Sequence, residues 1–331
     1  LILPTKKRSD EQMKSQTRVG FWIILGLAGL LVGIILGMEW SGTYRLPTRG
    51  GIQTTVRIQG VPQAQNWLNE AAIAFNSNNL QLQIEILPPL RGVDAARQYN
   101  QTNLSLPDIW INESEWVGGL AAGHYQMADQ LASDQLVWVA ATQRGKEVQP
   151  LDWAGIQAKA ESDLQFRAAL PPLNSSEALA SCVSAAASYF QTTALSTVNL
   201  SDRGFQAWYK NILDSNSNSA KTPADLLSSR PAAADVGLLL QSQAAVLDSN
   251  MPQQAPQFAI PLNYSSYRRT QWSELENSQA AGQQIATEQV LNFLRGRSRD
   301  LQTELKLQKV QIAKPIELDA NVVRQLGWCW Q

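Results

Sequence analysis

The sequence predicts an α/β domain of two lobes preceded by one N-terminal transmembrane helix. Two observations carry that expectation. Between Arg18 and Glu39 lie twenty residues without a charge, VGFWIILGLAGLLVGIILGM. From Gln53 onward, β-branched or apolar runs alternate with segments of helical period, the order of parallel sheets covered by helices.

Twenty helical residues at about 1.5 Å each span roughly 30 Å, the hydrocarbon thickness of a bilayer. Lys6, Lys7, Arg8, Lys14 and Arg18 precede the run against Asp10 and Glu11, and Glu39 follows it. The positive-inside rule therefore puts the N-terminus in the cytoplasm and the large domain on the periplasmic or extracellular side. A cleaved signal peptide has an apolar region of about 7–15 residues and a small-residue cleavage site. Here the run exits through Gly37-Met38-Glu39-Trp40, with no Ala-x-Ala pattern and no lipobox cysteine, which favours an uncleaved single-pass anchor. Gly29, Gly33 and Gly37 recur every fourth residue. On a helix they form one groove that suits a second transmembrane helix, although Gly is also frequent in membrane helices generally. The expected organisation is a basic cytoplasmic segment 1–18, an anchor 19–40, a linker 41–52 and a two-lobed domain 53–331, with lobe I about 53–140 and 262–331 and lobe II about 150–260.

The N-terminal flank holds five of the 27 basic and two of the 28 acidic residues, so the rest is mildly acidic and offers no basic surface for nucleic acid. A hydrophobic share of 44% suffices for a sizeable core. Cys182 and Cys329 are the two cysteines. In an oxidising compartment they pair across a long loop; otherwise they pack as buried thiols. His124 is the single histidine, so no zinc site is expected. No nucleophile–base pair, phosphate loop or cofactor motif is recognisable, and the reading is not an enzyme.

Thr54–Gln59 is β-branched and strand-like, and ends at Gly60. Trp67, Leu68, Ala71, Ala72 and Phe75 then fall at helical spacing within 64–75. Residues 80–87 alternate with period two and predict a second strand; a helix follows over 92–100. Residues 106–111 form a short apolar strand, and 136–141 a buried one. In the second block, 151–156 reads as a helical turn, 166–170 as a strand, 177–191 and 202–211 as helices, and 235–240 as a strand. A short helix over 243–247, a strand over 257–262 ending at a proline, and helices over 286–295 and 319–326 complete the order. The expected crossover into lobe II lies near 141–150, with a return near 261–267.

Several short motifs fall in an order that resembles the type II periplasmic solute-binding fold, including membrane-tethered bacterial members. These are the strand–Gly60–helix ending Ala-Ile-Ala-Phe-Asn, Pro107-Asp108-Ile109-Trp110-Ile111, Leu151-Asp152-Trp153, Asn174-Ser175-Ser176-Glu177-Ala178-Leu179-Ala180, and the strand–helix of 235–247. The resemblance covers roughly 54–328, and departs from the family's Ser-Ser-Gly-Gly at Glu177-Ala178. It implies two lobes facing each other across a cleft, with ligand contacts at strand ends and helix N-termini.

Three loops fit that place: Gly60-Val61-Pro62-Gln63, Asn112-Glu113-Ser114-Glu115-Trp116 and Asn174-Ser175-Ser176. The expected ligand contacts are Gly60, Val61, Gln63, Asn112, Ser114, Glu115, Trp116, Asn174, Ser175, Ser176, Gln243 and Tyr264. Asn174, Ser175 and Ser176 serve equally well as helix caps, and Trp116 as a packing residue. Glu113 and Glu115 disfavour an anion and suit a cation, an amine or sugar hydroxyls. Two functions follow. One is a tethered protein that captures a small polar solute and presents it to a membrane partner; the other is a ligand-less scaffold within a membrane complex.

Overall fold

Alternating inward side chains make the first strand: Val56 and Ile58 are fully buried while Thr55 is exposed. The computed structural model describes residues 53–101, 105–172, 175–216, 221–307, 313–316, 318 and 322. The anchor, its Gly29, Gly33 and Gly37, the linker, Asn174, Cys329 and nearly all of the helix expected over 319–326 lie outside those residues. Among the described residues no helix is long and apolar enough to cross a membrane.

The chain lays down β1 (Thr54–Gln59), α1 (Gln65–Asn78), β2 (Leu82–Ile86), α2 (Gly92–Tyr99), β3 (Ile109–Asn112), α3 (Glu115–Leu120) and β4 (Tyr125–Asp134). Next come β5 (Leu136–Ala140), α4 (Gln143–Lys146), α5 (Trp153–Ser162), β6 (Ala168–Ala169), α6 (Ser176–Phe190), α7 (Thr197–Leu200) and α8 (Arg203–Asp214). Then follow α9 (Pro223–Ser228), β7 (Val236–Leu240), α10 (Gln241–Ala244), β8 (Gln253–Gln254) and β9 (Phe258–Ala259). The described chain closes with β10 (Leu262–Arg269), α11 (Asn277–Gly296), α12 (Ser298–Glu304) and β11 (Lys314–Pro315).

Two main sheets result. The first has the order β2-β1-β3-β10-β4, the second β6-β7-β5-β8, and β9 pairs with β11 in a small third sheet. β1 is parallel to β2 and β3, whereas β10 runs antiparallel between β3 and β4. Only Gln135 separates β4 in the first sheet from β5 in the second. The crossing therefore precedes the expected 141–150, and β5 belongs with the second lobe, paired to β7 from Leu136↔Leu240 to Ala140↔Val236. The chain re-enters the first sheet at Leu262.

Helices pack where their apolar spacing directs them. α1 buries Trp67, Leu68, Ala71, Ala72 and Phe75, the five residues whose period predicts it. α6 is buried from Ser176 through Ala187, and its small residues let it pass between the sheets. Cys182 sits in that buried run, and its thiol is not free. Under the first sheet the rings of Tyr99, Trp110, Tyr125 and Tyr267 form an edge-and-tilt cluster with centroids 5.1–5.6 Å apart. α3 lies directly on this cluster because residue 118 has no side chain. A Cβ there would fall 2.3 Å from Tyr267 Cζ, and we expect Gly118→Ala to cost about 1–3 kcal/mol by forced overpacking. A urea midpoint unchanged from wild type would contradict this.

Candidate functional site

The site begins where β1, β3 and α6 end or start. After β1, Gly60 allows Leu68 of α1 to close in, since a Cβ would stand 2.3 Å from Leu68 Cδ1. Gly60 and Val61 are thus packing residues, and Val61 is fully buried. At the end of β3, Ser114 caps α3 by accepting the Val117 amide at 3.4 Å. Ser175 caps α6, accepting the Ala178 amide at 3.1 Å and donating to the Pro172 carbonyl at 2.7 Å. Both expected contacts spend their hydroxyls on local backbone.

Gln63, Ser175 and Gln243 do converge, on a cavity of ≈ 60 Å³ that Arg91, Glu113 and Glu177 also line. Glu115 and Trp116 do not join them. They line a separate hollow of ≈ 430 Å³ with Ile260, Pro261, Asn263 and Ile316, where Asn263 donates to Glu115 Oε1 at 3.0 Å. Asn112, Ser176 and Tyr264 are fully buried around the first cavity rather than on its wall. The loops of one lobe touch the first turn of α6 directly: Gln63 Nε2 donates to Glu177 Oε1 at 3.0 Å.

Two carboxyls dominate the cavity: Glu113, which lies in one of the expected loops, and Glu177, which was not among the expected contacts. Glu113 and Glu177 are 2% and 7% exposed. Burial, and then the Glu177 charge, push the Glu113 carboxyl up to about 7; the Ser176 hydroxyl and the amides of Glu113 and Gly92 oppose that rise. Burial likewise raises Glu177, against its own amide, Ser175, Arg91 and Gln63. Asp134, at the end of β4, is raised by burial. Burial and the charges of Asp134, Glu177 and Glu113 hold the Tyr264 phenol well above its ordinary value.

Acceptors are in surplus here. Glu113 Oε2, Gln63 Oε1, Asn112 Oδ1 and Asp134 Oδ2 are buried and accept no hydrogen bond, and the Ser176 and Tyr264 hydroxyls have no partner. Among the described residues no group of three or more His, Cys, Asp or Glu is arranged to hold a metal. One signal for Glu177 was available: it is the only charged residue of an otherwise Ala- and Ser-rich helix.

The seam between the lobes is tight at Gly92. A Cβ there would lie 2.2 Å from Asn112 Oδ1 and 3.1 Å from Ser176 Oγ. Gly92→Ala is expected to prop the seam open, raising the radius of gyration in small-angle scattering while the circular dichroism stays unchanged. An identical scattering curve would show that the seam yields without opening.

No protein-family model matches the chain, and no curated protein matches its sequence. Solved structures do match. A periplasmic thiamin binding protein aligns with TM-score 0.59 at 11% identity, over 87% of this chain and 98% of its own. Iron-bound HitA from Pseudomonas aeruginosa gives 0.58 at 11% identity, over 83% and 98%. A ferric binding protein from Campylobacter jejuni gives 0.54 at 11% identity, over 83% and 96%. With its two sheets, a double chain crossing between them and a polar cavity at strand ends and helix starts, the described domain has the fold of the type II periplasmic solute-binding proteins.

Proposed function

We propose that this chain is a membrane-tethered solute-binding protein, which captures a small polar ligand between its lobes and presents it to a membrane partner without catalysis. The observation that carries the reading is a pair of buried, unpartnered acceptors on one cavity wall, Glu113 Oε2 and Gln63 Oε1, facing Ser175 and Glu177 at the start of α6. Buried polar groups without partners cost about 1–3 kcal/mol each, and a ligand supplying donors offsets that cost. The tether rests on the uncharged run between Arg18 and Glu39, whose flanking charges place the domain on the periplasmic or extracellular side. The Gly29–Gly33–Gly37 groove is the proposed docking face for a second transmembrane helix. In that compartment Cys182 and Cys329 are proposed to pair. Alkylation of the denatured chain is expected to label neither cysteine before reduction and both after it.

The cavity's size supports a second reading. At ≈ 60 Å³ it is small for a drug-sized ligand site, as a scaffold that has given up its ligand would be. Thermal unfolding of the full chain in detergent, against sugars, amino acids, amines and oxyanions, separates the two. A ligand at a hundredfold excess over its dissociation constant adds about 2.7 kcal/mol of stability. A reproducible rise for one chemical class establishes capture. A flat response across the panel establishes the scaffold.

A further inference from the structure

We infer that the ligand of the interlobe cavity is a compact ammonium group, taken up by Glu113, Glu177 and the side-chain oxygen of Gln63; this rests on the capture reading above. The chemistry of the unsatisfied atoms comes first. The unpartnered polar atoms on the cavity wall, Glu113 Oε2 and Gln63 Oε1, are both acceptors, whereas Asn112 Oδ1 and the unpartnered Ser176 and Tyr264 hydroxyls are not on that wall. Gln63 lines the cavity and carries no charge, so this surplus is not a by-product of two acids lying close together. A ligand that satisfies acceptors alone must be rich in donors and poor in lone pairs. An ammonium carries donors and no acceptor, whereas a sugar or an oxyanion brings lone pairs that find no donors here.

Charge points the same way. Glu113 and Glu177 face the cavity with Arg91, leaving one negative charge in excess when both acids are ionised. Asp134 of β4 and the Tyr264 phenol of β10 stand behind them and add no positive charge. A monocation balances the excess; an anion doubles it. Size favours a compact group, since the cavity measures only ≈ 60 Å³. A multivalent metal is disfavoured because no three-carboxylate or histidine set is assembled among the described residues.

A proton on the acid pair competes for the same place. Entry of the ammonium therefore releases a proton, and affinity rises with pH through the range in which Glu113 ionises, about 7.

Calorimetric titration of the full chain in detergent micelles with methylammonium chloride tests this, at about pH 6 and pH 8 and in two buffers of different ionisation heat. The expected result is saturable binding, about tenfold tighter at the higher pH, with close to one proton released per cation at the lower. Tetramethylammonium, which has no N–H, is expected not to bind. Glu113→Gln is expected to weaken methylammonium binding at least tenfold and to remove its pH dependence. Asp214→Asn, on the exposed face of α8, is expected to behave as wild type. If Glu113→Gln does not fold by circular dichroism, Glu177→Gln is read in its place. Equal binding of tetramethylammonium, or methylammonium binding untouched by the substitution, overturns the inference. So does silence toward methylammonium while sulfate or a sugar binds, an outcome that leaves capture standing. Silence toward the entire panel overturns both.

Discussion

Wild-type protein is expected to lose stability as pH rises from about 5 to about 8, by about 3 kcal/mol, and Glu113→Gln to abolish most of that loss. The sign follows from proton counts. The Glu113 carboxyl titrates near its ordinary value in the unfolded chain and at about 7 in the folded one. Between those values the folded state holds the extra proton, so raising the pH favours unfolding. Its contribution is fully present below the unfolded value and is lost as pH passes the folded one. Glu177 and Asp134, also raised by burial, act in the same direction. The lowered carboxyls, Asp163, Asp225, Asp248 and Glu274, matter only in more acidic solution. Urea unfolding at several pH values measures the slope. A wild-type curve that rises or stays flat over this window would falsify the assignment of Glu113 as a buried, destabilised carboxylate.

Asp108→Ala is expected to cost about 4 kcal/mol, one of the larger effects of a single polar side chain on the first lobe. Asp108 is 5% exposed and lies just before β3. Its Oδ2 accepts the Arg57 amide of β1 at 2.8 Å and Gln283 Nε2 of α11 at 2.9 Å; its Oδ1 accepts Trp272 Nε1 at 2.8 Å. One carboxylate thus joins a central strand, the long helix and the loop after β10. Alanine leaves three donors unpaired, two of them on groups that water reaches poorly. Asp108→Asn keeps the shape and turns one acceptor into a donor, and is expected to fall between. Hydrogen exchange at residues 54–59 should accelerate in proportion to the lost stability. A urea midpoint shift equivalent to less than about 1 kcal/mol would show that these donors find other partners.

The elements that were legible carry their own periodicity. α1 follows from the spacing of Trp67, Leu68, Ala71, Ala72 and Phe75, and β1 from its β-branched residues, both of which survive intact in the packed domain. β4 does not. Its ten residues, YQMADQLASD, are rich in Ala, Asp and Gln, and nothing local favours an extended chain. It is a strand because β10 lies beside it with paired register from Leu262↔Asp134 to Arg269↔Tyr125, which no local pattern could announce. The start of α11 was missed for a related reason: its first nine residues, NSQAAGQQI, carry little apolar rhythm.

The site divides along the same line. Gln63, Ser175 and Gln243 were legible because strand ends and helix starts are where this fold gathers its cavity. Ser114 and Ser175 look like ligand donors in sequence for the same reason that they are good caps, and capping claims their oxygens. Glu113 and Glu177 acquire their character only by mutual approach across two sheets, which is a tertiary event.

The strand order also sets a timetable for synthesis. β10 occupies the interior of the first sheet, between β3 and β4, yet leaves the ribosome after the entire second sheet. Until it emerges, β3 and β4 face each other across a missing strand, with unpaired backbone edges of the kind that invite aggregation. Every strand of the second sheet, β5 to β8, is by then already available. The lobe begun first is thus completed last, and a released chain truncated shortly before Leu262 would carry every strand of the second sheet and a first sheet with its centre open.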